Sequence, residues 1–325
     1  MKINIHSKSD SILLLVGGIL LLALTSLLFI SQETKDWQYY QREFKVLIAE
    51  QFGAEAAARV PRGIQQIWVE DIDLTDRCTT CHLGLKRKGL EYEQNPYKTH
   101  PKLDLLLDHP IEDYGCTTCH AGQGYALETE AAHGYVKHWE DPLLSKAIAG
   151  EYLIKDGSAL IEMKCNECHR YERETKGMTM VNYAKKIVRD KACKACHIIN
   201  DNGGMIGPDL SYEGDKHAEG LDFSNFAGFE SVFNWHVTHF KNPLAVVPNT
   251  VMPDMNFSTY DAQSLAILTM SWRKSDYPVE YIPKFKLEEE RTPEEIAFEQ
   301  QLLEGEGAFF IEKGCFVCHS ISSWG

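Results

Sequence analysis

The longest apolar run in the chain, ILLLVGGILLLALTSLLFI at positions 12–30, carries no charge. As a helix rising about 1.5 Å per residue it is about 29 Å long, the thickness of a bilayer's hydrocarbon core. A cleaved secretory signal has a shorter apolar region, about 7–15 residues, and ends in a small-x-small site. LLFISQET offers no such site, and no lipobox cysteine follows. Residues 1–35 are therefore expected to form a signal-anchor, one N-terminal transmembrane helix. Beyond it, DWQYYQREFKVLIAEQFGAEAAAR at 36–59 consists of strong helix formers broken only by Gly53. From about 60 to 145 the chain reads as loops. From about 146 helical texture returns, in SKAIAGEYLIKDGSALIEMK, VNYAKKIVRDKA, ESVFNWHVTHF and STYDAQSLAILTMSW. Ser258 with Asp261 supplies an N-terminal cap for the last of these. Residues 276–291 are charged and contain Pro278 and Pro283, as a linker would. TPEEIAFEQQLL then starts a new helix, with Thr292 as N-cap, Pro293 in the first turn and Glu295 completing a capping box.

The cysteines change this picture of a plain helical chain. All ten fall into five C-x-x-C pairs: Cys78 and Cys81, Cys116 and Cys119, Cys165 and Cys168, Cys193 and Cys196, Cys315 and Cys318. Each pair is followed at once by a histidine: His82, His120, His169, His197 and His319. C-x-x-C-H is the attachment signature of c-type haem. Two thiols three positions apart reach the two vinyl groups of one haem, and the adjacent histidine becomes the proximal ligand of the iron. A zinc half-site, a redox dithiol or a disulfide staple would not require histidine after every pair. The expectation is five covalently bound haems c, with no cysteine left for a nucleophile. A haem is itself a large apolar body, so short segments can fold around it where a conventional core would be marginal. The expected fold is mainly α, loop-rich and haem-nucleated.

The motifs also divide the chain. Residues 36–145 hold the first two motifs, in DRCTTCHLGL and YGCTTCHAGQG, a partial repeat whose Gly84 and Gly122 let the chain turn away from the ring. Residues 146–275 hold the third and fourth, and 292–325 the fifth. A formal net charge of −14 excludes a nucleic-acid binder, since no basic stripe is present. An acidic surface suits steering of a basic partner such as a soluble cytochrome, and equally suits solubility alone. Lys2 and Lys8 precede the apolar run while Lys35, Arg42 and Lys45 follow it, so positive charge does not decide orientation. Trp37, Tyr39 and Tyr40 just past the run fit an interfacial belt or a helix core.

Five irons need five distal ligands if none is open for chemistry. His6 lies on the far side of the anchor. His100, His109, His133 and His138 crowd around the second motif, so two or three of them are expected to ligate, giving bis-histidine haems of lower potential. His138 is the first choice for the third haem, with Met178, Met180 or His217 as alternatives. Met252 sits in the Pro-flanked loop NPLAVVPNTVMPDM, held as a weak thioether ligand must be. Only six residues follow His319, so the fifth haem either belongs to a longer chain or takes a ligand from His217, His236, His239 or a partner.

Residues 185–273 resemble a class I cytochrome c domain, in CKACH, GPDL at 207–210, VVPNTVMPDM at 246–255 and a closing helix. The resemblance implies that Met252, with Met255 as fallback, is the distal ligand opposite His197. It also implies that the Pro208 carbonyl orients the His197 ring. Residues 292–325 look like the opening of a second such domain. The stretch from about 75 to 145 is similar to multihaem cytochrome c subunits of bacterial cytochrome b/Rieske-type quinol-oxidising complexes, on DRCTTCHLG, THPKLDLLLDHP, YGCTTCHAGQG and AAHG with HWEDPLL. That resemblance implies an electron relay from a membrane quinol-oxidising partner to a soluble cytochrome or reductase. The haem domains would lie on the periplasmic side of the inner membrane, where c-type cytochromes receive their haem. The pentahaem subunit of alternative complex III and anchored quinol dehydrogenases are alternatives that differ in partner. A multihaem nitrite reductase or hydroxylamine oxidoreductase needs an open iron, which five histidine motifs with a large distal pool do not suggest.

Overall fold

The computed structural model describes residues 8–283 except 34, 135–141, 145–147, 149–151, 153, 155–156, 227–228 and 275–276. His6, His138, the capping box at Thr292 and the fifth motif, Cys315, Cys318 and His319, lie outside the described residues. Helix is the main regular structure. Helix α1 (Lys8–Glu33) contains a span, Ser9–Ile30, long and apolar enough to cross a membrane, with a mean hydropathy of 2.8. The side chains of residues 9–30 are exposed. This is the surface a lipid-facing segment or a signal sequence presents.

The chain divides into two compact units. The first comprises residues 1–69, 73–117 and 122–140; the second comprises 70–72, 118–121 and 141–325. In the first, the expected helix over 36–59 is two helices, α2 (Asp36–Phe52) and α3 (Ala54–Ala58). The break is Gly53, at φ 87, a conformation that L side chains rarely adopt. Helix α2 buries Gln41, Phe44 and Ile48 on one face, and the two apolar residues join Ala57, Val60 and Leu90 in a small core. An antiparallel hairpin that periodicity did not anticipate follows, β1 (Ile67–Val69) with β2 (Leu74–Asp76). Four one-turn helices then punctuate the loops: α4 (Leu105–Asp108), α5 (Ile111–Tyr114), α6 (Thr117–His120) and α7 (Thr129–Ala132).

The second unit is built on longer helices: α8 (Ser158–His169), α9 (Thr179–Asp190), α10 (Val232–Lys241) and α12 (Thr259–Met270). The one-turn α11 (Pro243–Val246) and a two-residue hairpin, β3 (Ile198–Ile199) with β4 (Asn202–Gly203), complete it. Helix α12 packs against α8, α9 and α10, and buries Leu265, Ala266, Ile267 and Leu268 with Leu160, Val181 and Phe233. The expected cap is present as a full capping box: Ser258 Oγ accepts from Asp261 N, and the Asp261 carboxylate accepts from Ser258 N. Helix α9 is capped from outside instead. The buried Glu162 of α8 accepts the backbone N–H groups of Thr179, Met180 and Val181 at 2.8–2.9 Å.

Candidate functional site

In the first unit, the first motif and the opening residues of the second, Cys116 and Thr117, are fixed by buried polar groups rather than by a core. Strand β2 ends at Asp76, which is fully buried. Its Oδ1 accepts the Cys78 N–H, and its Oδ2 accepts those of Cys116 and Thr117, all at 2.9 Å. The carboxylate and the sulfurs of Cys78 and Cys116 lie within 4.8 Å of one another. Thr80, between the two cysteines of the first motif, is also fully buried. Its hydroxyl donates to the Gln65 carbonyl at 2.9 Å and accepts the Gln65 N–H at 3.0 Å. Gln41 of α2 donates to the carbonyls of Thr80 and Gly63 and accepts the Gly63 N–H, tying helix to motif. Of the two repeat glycines, Gly122 takes the positive φ, 87. Gly84 serves a different need: a Cβ there would stand 1.9 Å from the Tyr97 carbonyl oxygen.

The structure brings one of the distal candidates to a motif histidine. The rings of His82 and His133 have centroids 6.2 Å apart at an interplanar angle of 67°. His133 follows α7, and its Nδ1 donates to the Thr129 carbonyl at 2.9 Å, an arrangement that makes Nε2 the nitrogen able to accept or ligate. His109 packs edge-on against Tyr114, with Nδ1 3.3 Å from the Leu105 carbonyl. His100 accepts the Lys102 N–H at Nδ1, 3.2 Å away. Tyr40 packs on Tyr97 while Tyr39 is exposed, so the two tyrosines after the anchor have different roles.

In the second unit the third motif closes α8, and His169 Nδ1 lies 2.9 Å from Glu172 Oε2. Next to it, Arg170 donates to Asn200 Oδ1 and to the Ser211 carbonyl, joining this motif to the loop behind the fourth. Met178 and Met180, the alternatives for the third haem, are buried in the core, and His217 is exposed. Around the fourth motif, His197 Nδ1 donates to the Pro208 carbonyl at 2.9 Å, as expected. Met252 Sδ lies 3.2 Å from His239 Nε2. His239 stacks on Trp235 at 5.1 Å, and among the described residues its Nδ1 is buried without a hydrogen-bond partner. His236 is buried one turn earlier, its Nε2 3.7 Å from Glu213 Oε1 and without a hydrogen bond. Burial pushes His236 down to about 3 and His239 to about 4, so both are neutral at pH 7.

Five of the thiols are raised well above their ordinary range. Burial pushes Cys81, Cys168 and Cys193 up to about 11 and Cys165 to about 12. Cys78 is raised by its contact with Cys116, by burial and by Asp76. Cys119 adds a smaller electrostatic contribution at both Cys165 and Cys168. Thiols raised this far are poor nucleophiles and poor redox dithiols. Sequence reasoning missed Asp76, Thr80, Gln41 and the contact of His239 with Met252. Only Asp76 carried a signal, an acidic residue just before a motif. Neither the family models, nor the curated proteins, nor the solved structures give a match to this chain.

Proposed function

We propose that the chain is a membrane-anchored pentahaem c-type cytochrome that relays electrons from a quinol-oxidising membrane complex to a soluble acceptor. The observation that carries this reading is the separation of His82 and His133. Two imidazoles that ligate one iron from opposite faces have centroids about 6.2–6.4 Å apart, given metal–nitrogen bonds of about 2.0–2.1 Å and about 1.1 Å from nitrogen to ring centre. The 6.2 Å found meets that demand, although the sequence paired neither His82 nor His133 with a partner. The spacing of His82 and His133 is therefore compatible with one shared haem. His82 and His133 would hold the first haem, and His197 with Met252 the fourth, with Pro208 fixing the His197 tautomer. His120, His169 and His319 would be proximal at the other three.

A bound haem would supply one-electron redox chemistry; the side chains supply ligands, order of potential and exclusion of water. The succession of motifs supports a relay. Cys78 adjoins Cys116 in the first unit, and Cys119 acts electrostatically on Cys165 in the second. The test is the protein purified from membranes with its partners. Five haems per 325-residue chain by pyridine haemochrome, all low-spin, and reduction by quinol in the intact complex are expected. Haem-free protein, or a dominant high-spin ferric signal, would overturn the reading. Co-purification of a b-type cytochrome and Rieske protein, rather than the subunits of an alternative complex III or a soluble reductase, identifies the partner.

A further inference from the structure

We infer that Asp76 is a positioning residue that locks the first two attachment motifs together, so that haems one and two form a close-coupled pair. The inference rests on the haem reading above and goes beyond it. A buried carboxylate is costly unless its oxygens are filled by donors. Asp76 is fully buried and takes three backbone N–H groups at 2.9 Å, one from the first motif and two from the second, about forty residues later in the chain. Charge-assisted bonds of this kind are about twice as strong as neutral ones. They fix the backbone at the first cysteine of each motif, the atoms from which each thioether is built. The approach is tight on the other side as well. Gly115, just before Cys116, has φ 65, and a Cβ there would lie 2.5 Å from Leu74 Cδ2 on β2. Arg77 N donates to the Gly124 carbonyl at 2.8 Å, so the chain after the second motif is pinned to the same strand.

The chemistry requires an aspartate. Both oxygens face donors only, so an asparagine would set an NH2 group against a backbone N–H. The same carboxylate and two thiols resemble three ligands of a metal site, but a thiol consumed as a thioether no longer offers the thiolate such a site uses, and both thiols belong to haem motifs. Rings attached at Cys78 and Cys116 become neighbours, with Asp76 holding their attachment points.

The test is circular dichroism in the Soret band of the mature protein, beside a haem count. Coupled neighbours give a two-signed band. Asp76→Asn and Asp76→Ala are expected to remove the component due to haems one and two while the count stays at five. Loss of only those two haems, leaving three, would also support the inference, because the motifs would then be presented for attachment by Asp76. Five haems with an unchanged two-signed band in Asp76→Ala would overturn it, as would five haems and a single-signed band in the wild type. If neither variant accumulates, the difference between the wild type and a Cys78→Ser, Cys81→Ser double variant decides. A two-signed difference supports the pair, and the single-signed band of one isolated haem sinks it. One zinc per chain with motifs one and two haem-free also overturns it. Haem-free protein sinks the proposed function itself.

Discussion

His239 and Met252 show how one side chain can set the character of a neighbour. With His239 neutral, a single ring proton is available. If it sits on Nε2 it donates to the sulfur; on Nδ1 it would be a buried, unsatisfied donor. The Nε2–H form is therefore the lower in energy, and Met252 has its sulfur oriented by a donor. A hydrogen bond worth about 1 kcal/mol corresponds to about 40 mV for a one-electron couple. In the proposed haem protein, His239→Phe should lower the potential of the His197 haem by about that amount, as read by potentiometric titration. An unchanged potential would show that the contact is only packing. The same two histidines set an acid limit on stability. Their folded values lie below the ordinary 6.5, so as pH falls from about 6.5 toward 4 the unfolded chain binds protons that the fold refuses. Stability is thus fully present above 6.5 and is lost on acidification through that window. Urea midpoints measured from pH 7 to 4.5 should fall, and His236→Gln should flatten the slope.

At the scale of elements, the second unit owes its order to helices that cap and cover one another. Helix α12 is the hub, and its start depends on the reciprocal bonds of Ser258 and Asp261. Ser258→Ala should cost about 1 kcal/mol, seen as a lower denaturant midpoint with an unchanged slope. This cap was legible in the sequence because both partners lie within one turn. The cap of α9 was not, because Glu162 reaches it from α8 and the two are far apart along the chain. Glu162→Ala leaves three backbone donors of α9 unsatisfied and should cost more than the Ser258 change, about 2–3 kcal/mol. The hairpin of β1 and β2 escaped notice for a related reason. Three-residue strands carry too little alternation to be read, and this one is defined by what its last residue binds.

For the whole molecule, the acidic balance of −14 predicts a rate that depends on salt. In the proposed relay, electron transfer to a basic soluble acceptor should slow as ionic strength rises past about 0.1 M, where the Debye length falls to about 10 Å. A rate insensitive to salt would assign the charge to solubility. The apolar helix at the N-terminus makes a separate prediction. In the proposed cytochrome, replacing residues 1–35 by a cleavable secretory signal should move the chain from the membrane to the soluble fraction while leaving the haem count unchanged.

The sequence by itself determined the motifs, the apolar span, the longer helices and the pool of candidate ligands. These are local: a C-x-x-C-H spacing, an uncharged run or a cap is complete within a few residues. It also named the Pro208 contact to His197 through resemblance, and the geometry agrees. Tertiary structure alone decided which members of the pool meet. His82 and His133 stand 6.2 Å apart, and His239 faces Met252. Asp76 gathers donors from two motifs, and Thr80 is locked by Gln41 and Gln65. Pairings of this kind depend on loop closure across tens of residues, where no periodicity constrains the partner. Local spacing fixes the chemistry available, and only the fold fixes the distances at which it operates.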